Sequence, residues 1–280
     1  MVYKIMGASS SSAFWVPISY KHHENILNAF YEKQEQQNLK ITHNVQFSIS
    51  DTLQLLNKRK LFSDITLILD IDLTLGEALT IHYDYNKGFM LNQQPCSHEK
   101  AQQLVDSRNA EWFHNKTCLF VLRPYFKEFI EFCDNNFNEV IIWTNGVQKH
   151  ADDMVNLIEK TIGKRWKGYG RTFSTYDRKI VTSIGLDPNK TWLVDDDHRH
   201  YYRDENGDDK NQVNPDIKFF HGPEFSISWF KDFPNKINLW GKEMELYDDW
   251  FLFLIWNWNY MKENSINMLS YDRSARKFVY

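Results

Sequence analysis

Three short apolar runs punctuate a chain that is otherwise patterned in polar and apolar alternation. Ile65-Thr66-Leu67-Ile68-Leu69, Val140-Ile141-Ile142-Trp143 and Thr191-Trp192-Leu193-Val194 are rich in β-branched residues and too short for helices, so each predicts a buried strand. Helical spacing fills several of the intervals. Glu24 to Gln37 predicts a helix with Ile26, Leu27, Phe30 and Tyr31 on one side, and Ser50-Asp51 can cap a second helix running through Leu56. Ser97 to Asn115 reads as a helix with Leu104, Val105, Ala110 and Phe113 inward. Trp250 to Trp258 is the most apolar run, far too short to span a bilayer, and predicts a helix packed on the sheet. It lacks the Lys and Arg that a membrane-surface anchor would place on its polar face.

Chemistry collects where the three strands end. The first runs into Asp70-Ile71-Asp72-Leu73-Thr74. In an open α/β sheet, ligands bind at the carboxyl ends of the strands. Two carboxylates placed there repel each other unless a divalent cation joins them. One of them can also act as a nucleophile towards phosphorus. The competing explanation is an acidic turn, because Asp and Thr are common cap residues. The second strand ends in Thr144-Asn145-Gly146, which can offer a hydroxyl and N–H donors to an oxyanion. The third ends in Asp195-Asp196-Asp197, costly unless solvated or holding a cation. Between the last two lies Asp177-Arg178-Lys179, where Lys179 can serve a phosphate as a point charge or sit solvated at a helix start. His198 and His200 follow the acidic triplet and could bind a transition metal, but the hard oxygen ligands beside them suit Mg²⁺ better.

Composition narrows the class. With 280 residues, 42% of them hydrophobic, the chain can bury a full core. A net charge of −4 argues against a general nucleic-acid binder. Cys96, Cys118 and Cys133 have no metal-ligand spacing and no phosphate-cradling loop, which sets aside a disulfide scaffold and a cysteine-phosphatase mechanism. Free thiols fit a reducing, cytoplasmic compartment, and Met1 to Trp15 lacks the apolar core of a secretory leader.

The order strand–DxDxT, strand–TNG, lysine, strand–DDD resembles the haloacid dehalogenase superfamily of phosphohydrolases. More narrowly, it resembles the small C-terminal-domain phosphatase branch, whose best-known members act on the tail of RNA polymerase II. Leu122-Arg123-Pro124 followed by Phe126, Phe129, Ile130 and Phe132 is similar to that branch's Arg-Pro helix, and Ile184 to Thr191 to its link before the last acidic motif. The resemblance implies a three-layer α/β/α Rossmann-like haloacid dehalogenase fold with a central parallel sheet. It would occupy residues 61–262, with a small insertion at 83–117 after the first motif, a helical extension at 1–60 and a tail at 263–280.

It also implies roles. Asp70 would be the nucleophile and Asp72 the general acid and base. Thr144, Asn145 and Lys179 would hold the phosphate. Mg²⁺ would be bound by Asp70, the Asp72 carbonyl and Asp196, with Asp195 positioning Lys179 or the metal shell and Arg123 structural. The expected activity is Mg²⁺-dependent hydrolysis of a phosphoprotein through an aspartyl-phosphate. The insertion argues against a proline-directed phosphoserine pocket, and an aromatic-rich rim favours phosphotyrosine. Phosphoserine or phosphothreonine proteins, small-molecule phosphates and a catalytically idle binding module are the alternatives. An abundance of Asn, Lys and Ile is what an effector delivered into a host cell, or a viral protein, would carry.

Overall fold

The computed structural model describes residues 49–86, 88–91, 94–174, 178–197, 217–222, 224–226, 248 and 250–264. The helix expected at Glu24–Gln37, the pair His198 and His200, the charged loop 201–215 and the tail beyond 264 lie outside the described residues.

A five-stranded sheet forms the centre. Its strands are β1 (Phe62–Leu69), β7 (Phe137–Trp143), β8 (Lys167–Tyr169), β9 (Thr191–Asp195) and β10 (Lys218–His221). They lie in the order β10-β9-β1-β7-β8, every pair parallel. The three apolar runs are therefore its three middle strands. Their side chains sort by twos, as a pleated strand requires. Leu67, Leu69, Val140, Ile142, Trp192 and Val194 enter one core, and Ile68, Ile141, Trp143 and Leu193 enter the other. The first core is covered by three helices, α3 (Phe126–Asn136), α4 (Gln148–Ile162) and α5 (Trp250–Asn264), through Phe129, Met154, Phe251 and Trp258 among others. The second is covered by the turn Val181–Ile184 with Tyr169 and Leu186. Layers on both faces of a parallel sheet make the three-layer α/β architecture expected of the sequence. Each large apolar side chain buried there stabilises by about 1.5–3 kcal/mol. The Trp250–Trp258 run packs on the sheet as expected, as part of α5. The short helix α1 (Ile49–Leu55) lies against α5.

The segment after the first motif departs from expectation. It builds a second, antiparallel sheet from β2 (Gly76–Asp84), β3 (Gly88–Leu91), β4 (Gln94–Pro95), β5 (Ala110–Phe113) and β6 (Cys118–Leu122), in the order β4-β3-β2-β6-β5. This sheet starts before residue 83 and closes after 117. The helix anticipated over Ser97–Asn115 is shorter: α2 spans His98–Asp106, capped by the Ser97 side chain, and Ala110–Phe113 is a strand. Ser107 ends the helix and Arg108 turns left-handed at φ 62°. Pairing of Phe113 with Cys118 then holds the chain extended. Tertiary pairing overrides a local spacing that fits either period.

Candidate active site

Parallel neighbours end at the same edge, and the edge formed by β9, β1 and β7 carries the chemistry. Asp70 follows Leu69 and prolongs the ladder, its N–H donating to Val194 O at 3.0 Å. Thr144 follows Trp143, with its N–H on Tyr169 O at 3.0 Å. Asp195 is the last residue of β9. After Asp70 the chain folds into a tight turn. Leu73 sits at φ 61°, its N–H donates to Gly76 O at 2.7 Å, and Asp72 bridges Gly76. Only glycine fits at 76, because a Cβ there would lie 2.2 Å from Val121 O and 2.5 Å from the Phe120 ring.

Lys179 arrives from the loop before Val181 and is fully buried. Its ammonium donates to Asp70 Oδ1 and, at 2.5 Å, to Asp195 Oδ2. Asp195 Oδ1 accepts the Asp197 N–H at 2.8 Å. Asp196 is fixed by Thr74, whose hydroxyl donates to Asp196 Oδ1 at 3.0 Å while accepting the Asp196 N–H at 3.1 Å. That exchange explains the threonine in the first motif. Lys164, which also lies before the last acidic strand, is bound to Asp134 at 2.8 Å, whereas Lys179 has both sheet-end carboxylates.

Charge does not balance in this nest. Carboxylate oxygens of Asp70, Asp195 and Asp196 lie within 4.8 Å of one another, around one ammonium. Burial works against the Lys179 charge, but Asp195 and then Asp70 outweigh it and hold its pKa above the usual lysine range. Burial raises Asp70 and Asp195, and burial followed by the Asp70 charge lifts Asp196 to about 7. Surplus negative charge on hard oxygens is the donor set a Mg²⁺ ion takes. Asp195 is already bonded through both oxygens, which leaves Asp70 and Asp196 as the side chains that would hold the ion.

The Asp72 side chain points elsewhere. Its Oδ1 lies 3.0 Å from His150 Nε2 and its Oδ2 accepts from Thr144 Oγ1 at 3.5 Å. Thr144 Oγ1 in turn accepts the Gly146 N–H at 2.9 Å. Asn145 stays at the rim, where its side-chain oxygen accepts from Ser174 Oγ at 3.0 Å and its carbonyl from Arg171 Nε at 2.7 Å. Arg123, expected to be structural, is almost wholly buried. Buried over the Trp250 ring, 4.5 Å from its centre, it grips Asp248 with two nitrogens at 2.7 and 3.2 Å. His150 was not anticipated. The available signal was a histidine in the first turn of α4, two residues after the helix begins, on the same buried face as Ala151 and Met154.

A parallel sheet presenting Asp70, Asp72, Thr144, Lys179 and an acidic pair at adjoining strand ends defines the haloacid dehalogenase type of phosphohydrolase. Within it, the chain belongs to the NLI interacting factor-like phosphatase family, whose model matches residues 65–209. No curated protein matches the chain. Among solved structures it is similar to Fcp1, an essential RNA polymerase II CTD phosphatase, at 15% identity and a TM-score of 0.40, over 71% of this chain and 54% of that one. It is also similar to a variant of fission yeast RNA polymerase II CTD phosphatase Fcp1 bound to beryllium fluoride, at 14% identity and a TM-score of 0.40, over 82% of this chain and 70% of that one. The chain thus spans about half the length of the first of these.

Proposed function

We propose that this protein is a Mg²⁺-dependent phosphoprotein phosphatase that works through an aspartyl-phosphate. The observation that carries the reading is the convergence of Asp70, Lys179, Thr144 and Asp196 on one edge of the sheet, with Asp72 beside them. Asp70 attacks the phosphorus, and the bond to the leaving oxygen breaks as Asp72 gives that oxygen a proton. Water then attacks the phosphorus of the aspartyl-phosphate, Asp72 takes the water proton, and Asp70 leaves as phosphate is released. Lys179 and Thr144 hold the phosphoryl oxygens while charge spreads over them in the transition state. Asp70 and Asp196 are the side chains that would hold Mg²⁺, which when bound would neutralise charge between the dianion and the carboxylates.

The substrate side of the reading rests on the rim. Val147 and Phe173 are exposed beside the Thr144 turn, and Phe173 packs edge-on against Tyr169. An apolar, aromatic lip suits the ring of phosphotyrosine better than the short side chain of phosphoserine. A panel of phosphotyrosine, phosphoserine and phosphothreonine peptides with Mg²⁺ tests this. Phosphotyrosine should be hydrolysed fastest by kcat/KM, Asp70→Asn should abolish turnover while leaving the fold intact, and EDTA should abolish it reversibly. A sugar or nucleotide phosphate outrunning every peptide would refute the substrate class. Substantial Mg²⁺-dependent turnover by Asp70→Asn would refute the nucleophile.

A further inference from the structure

Asp72 is the terminus of a chain of side chains that reaches into the antiparallel sheet. Beyond His150 Nε2, the other nitrogen of that ring, Nδ1, lies 3.0 Å from His114 Nε2, and the two imidazoles stack with centres 5.1 Å apart and planes 10° from parallel. Phe113 and Phe120 press edge-on against His150 at 5.4 and 5.9 Å. His150 is thereby buried, while His114 is partly open to solvent. An ionised carboxylate can only accept, so the contact with Asp72 puts the His150 proton on Nε2. In the neutral ring Nδ1 then accepts, which puts the His114 proton on its own Nε2. Each bond in the series fixes the tautomer of the next ring.

The backbone under His114 is strained. His114, Asn115 and Lys116 are all left-handed, with φ of 52°, 57° and 68°. Such a residue costs about 1–2 kcal/mol when it is not glycine, and a run of three persists only where its surroundings enforce it. Here the His114 N–H donates to Asp153 Oδ2 on α4 at 2.8 Å, and its carbonyl accepts from Thr117 Oγ1 at 2.8 Å. Lys149 holds the other oxygen of Asp153 at 2.6 Å. The turn joining β5 to β6 is thus tied to the helix that carries His150, and the tie presents His114 to that ring.

We propose that His150 is a positioning residue for the Asp72 carboxylate and that His114, presented by the left-handed turn, fixes the tautomer His150 needs. This rests on the phosphatase reading above. With Oδ1 clamped by His150, Oδ2 on the Thr144 side is the oxygen that gives the proton to the leaving group and later takes one from water. A carboxyl held in one orientation matters most when the leaving oxygen is strongly basic, because proton transfer then carries more of the barrier.

The test uses the purified full chain with Mg²⁺ and three substrates of increasing leaving-group basicity: p-nitrophenyl phosphate, phenyl phosphate and a phosphoserine peptide. His150→Phe keeps a ring but no hydrogen bond. It should lower kcat for the phosphoserine peptide by roughly ten- to a hundredfold, a fraction of what general acid catalysis supplies, and change p-nitrophenyl phosphate turnover by less than about threefold. KM should hold. His150→Gln, whose amide nitrogen can reach where Nε2 sits, should recover most of the loss. In an Asp72→Asn background His150→Phe should add nothing, since both act at one locus. His114→Phe, which leaves His150 in place, should show a smaller loss of the same pattern and serves if His150→Phe does not fold. Equal losses across the three leaving groups, or losses additive with Asp72→Asn, would overturn the proposal. Absence of turnover by the wild-type chain on all three substrates would instead overturn the phosphatase reading. The ¹⁵N spectrum of the imidazoles still decides the positioning: His150 should be protonated on Nε2, with a resonance that moves in Asp72→Asn, and protonation on Nδ1 alone would overturn it.

Discussion

Replacing Lys179 by methionine removes the one ammonium that the described residues bring to the nest while nearly preserving the volume of its stem. Lys179 is wholly buried and bonded to both Asp70 and Asp195, so the variant leaves two buried carboxylates without their counter-charge. Breaking a buried pair in this way costs about 3–5 kcal/mol. The upper part of that range applies, because one cation serves two anions and Asp196 adds a third carboxylate nearby. Urea unfolding in EDTA should therefore show the unfolding free energy of Lys179→Met falling by that amount, seen as a lower midpoint at an unchanged slope. Asp195→Asn should restore part of the loss in the double variant, because it removes one of the stranded charges, so the pair should be strongly non-additive. Mg²⁺ should raise the midpoint of Lys179→Met more than that of the wild type. Turnover should fall at least about a hundredfold in kcat/KM, the usual loss for one transition-state charge contact. A Lys179→Met protein within about 1 kcal/mol of wild-type stability, or additive behaviour with Asp195→Asn, would show that the nest is not held by this ion pair.

Two further outcomes follow from the same geometry. In EDTA the protein should lose stability as pH rises from about 4 to about 7. Asp196 unfolds to a group near 3.8 but is held near 7 when folded, so the native state binds the extra proton across that window and gives it up at the top; Asp196→Asn should flatten this slope in pH-dependent melting, and an unchanged slope would count against it. Gly76→Ala should cost several kcal/mol and lower kcat, since the methyl group meets the Val121 carbonyl and must displace the turn that carries Asp72; a variant with wild-type melting and rate would show that the turn yields freely.

How much of this was legible in the sequence depended on whether a signal was local. The strands ending at Asp70, Thr144 and Asp195 announce themselves as apolar runs, because a strand covered on both faces has no polar side to hide. The site residues at their ends follow from the runs, whereas the burial of Lys179 did not, because a lysine ahead of a helical turn reads as readily as a solvated one. The antiparallel sheet was illegible for the opposite reason. Ala110 and Phe113 lie three apart and are both inward, a spacing that reads as helix until the pairing with β6 is known. His150 was hidden because nothing in α4 distinguishes a histidine facing Asp72 from one satisfied within a core. The mate that fixes its tautomer, His114, comes from 36 residues earlier.

The bond between Thr74 and Asp196 spans 122 residues of chain, and Lys179 is held from both sides of that span. The nest therefore cannot form until β9 joins the sheet. β1 can pair with β7, and β7 with β8, while the chain is still growing, but β9 lies on the other side of β1 and brings Asp195 and Asp196 with it. A nascent polypeptide that has not reached Thr191 already contains Asp70, Asp72, Thr144 and Lys179, yet Asp70 has neither Asp195 nor Asp196 beside it and Lys179 has only one carboxylate. Contacts this distant in sequence form slowly. The first hydrolytic event thus reports that β9 has joined β1, and enzymatic activity becomes a clock for that step of folding.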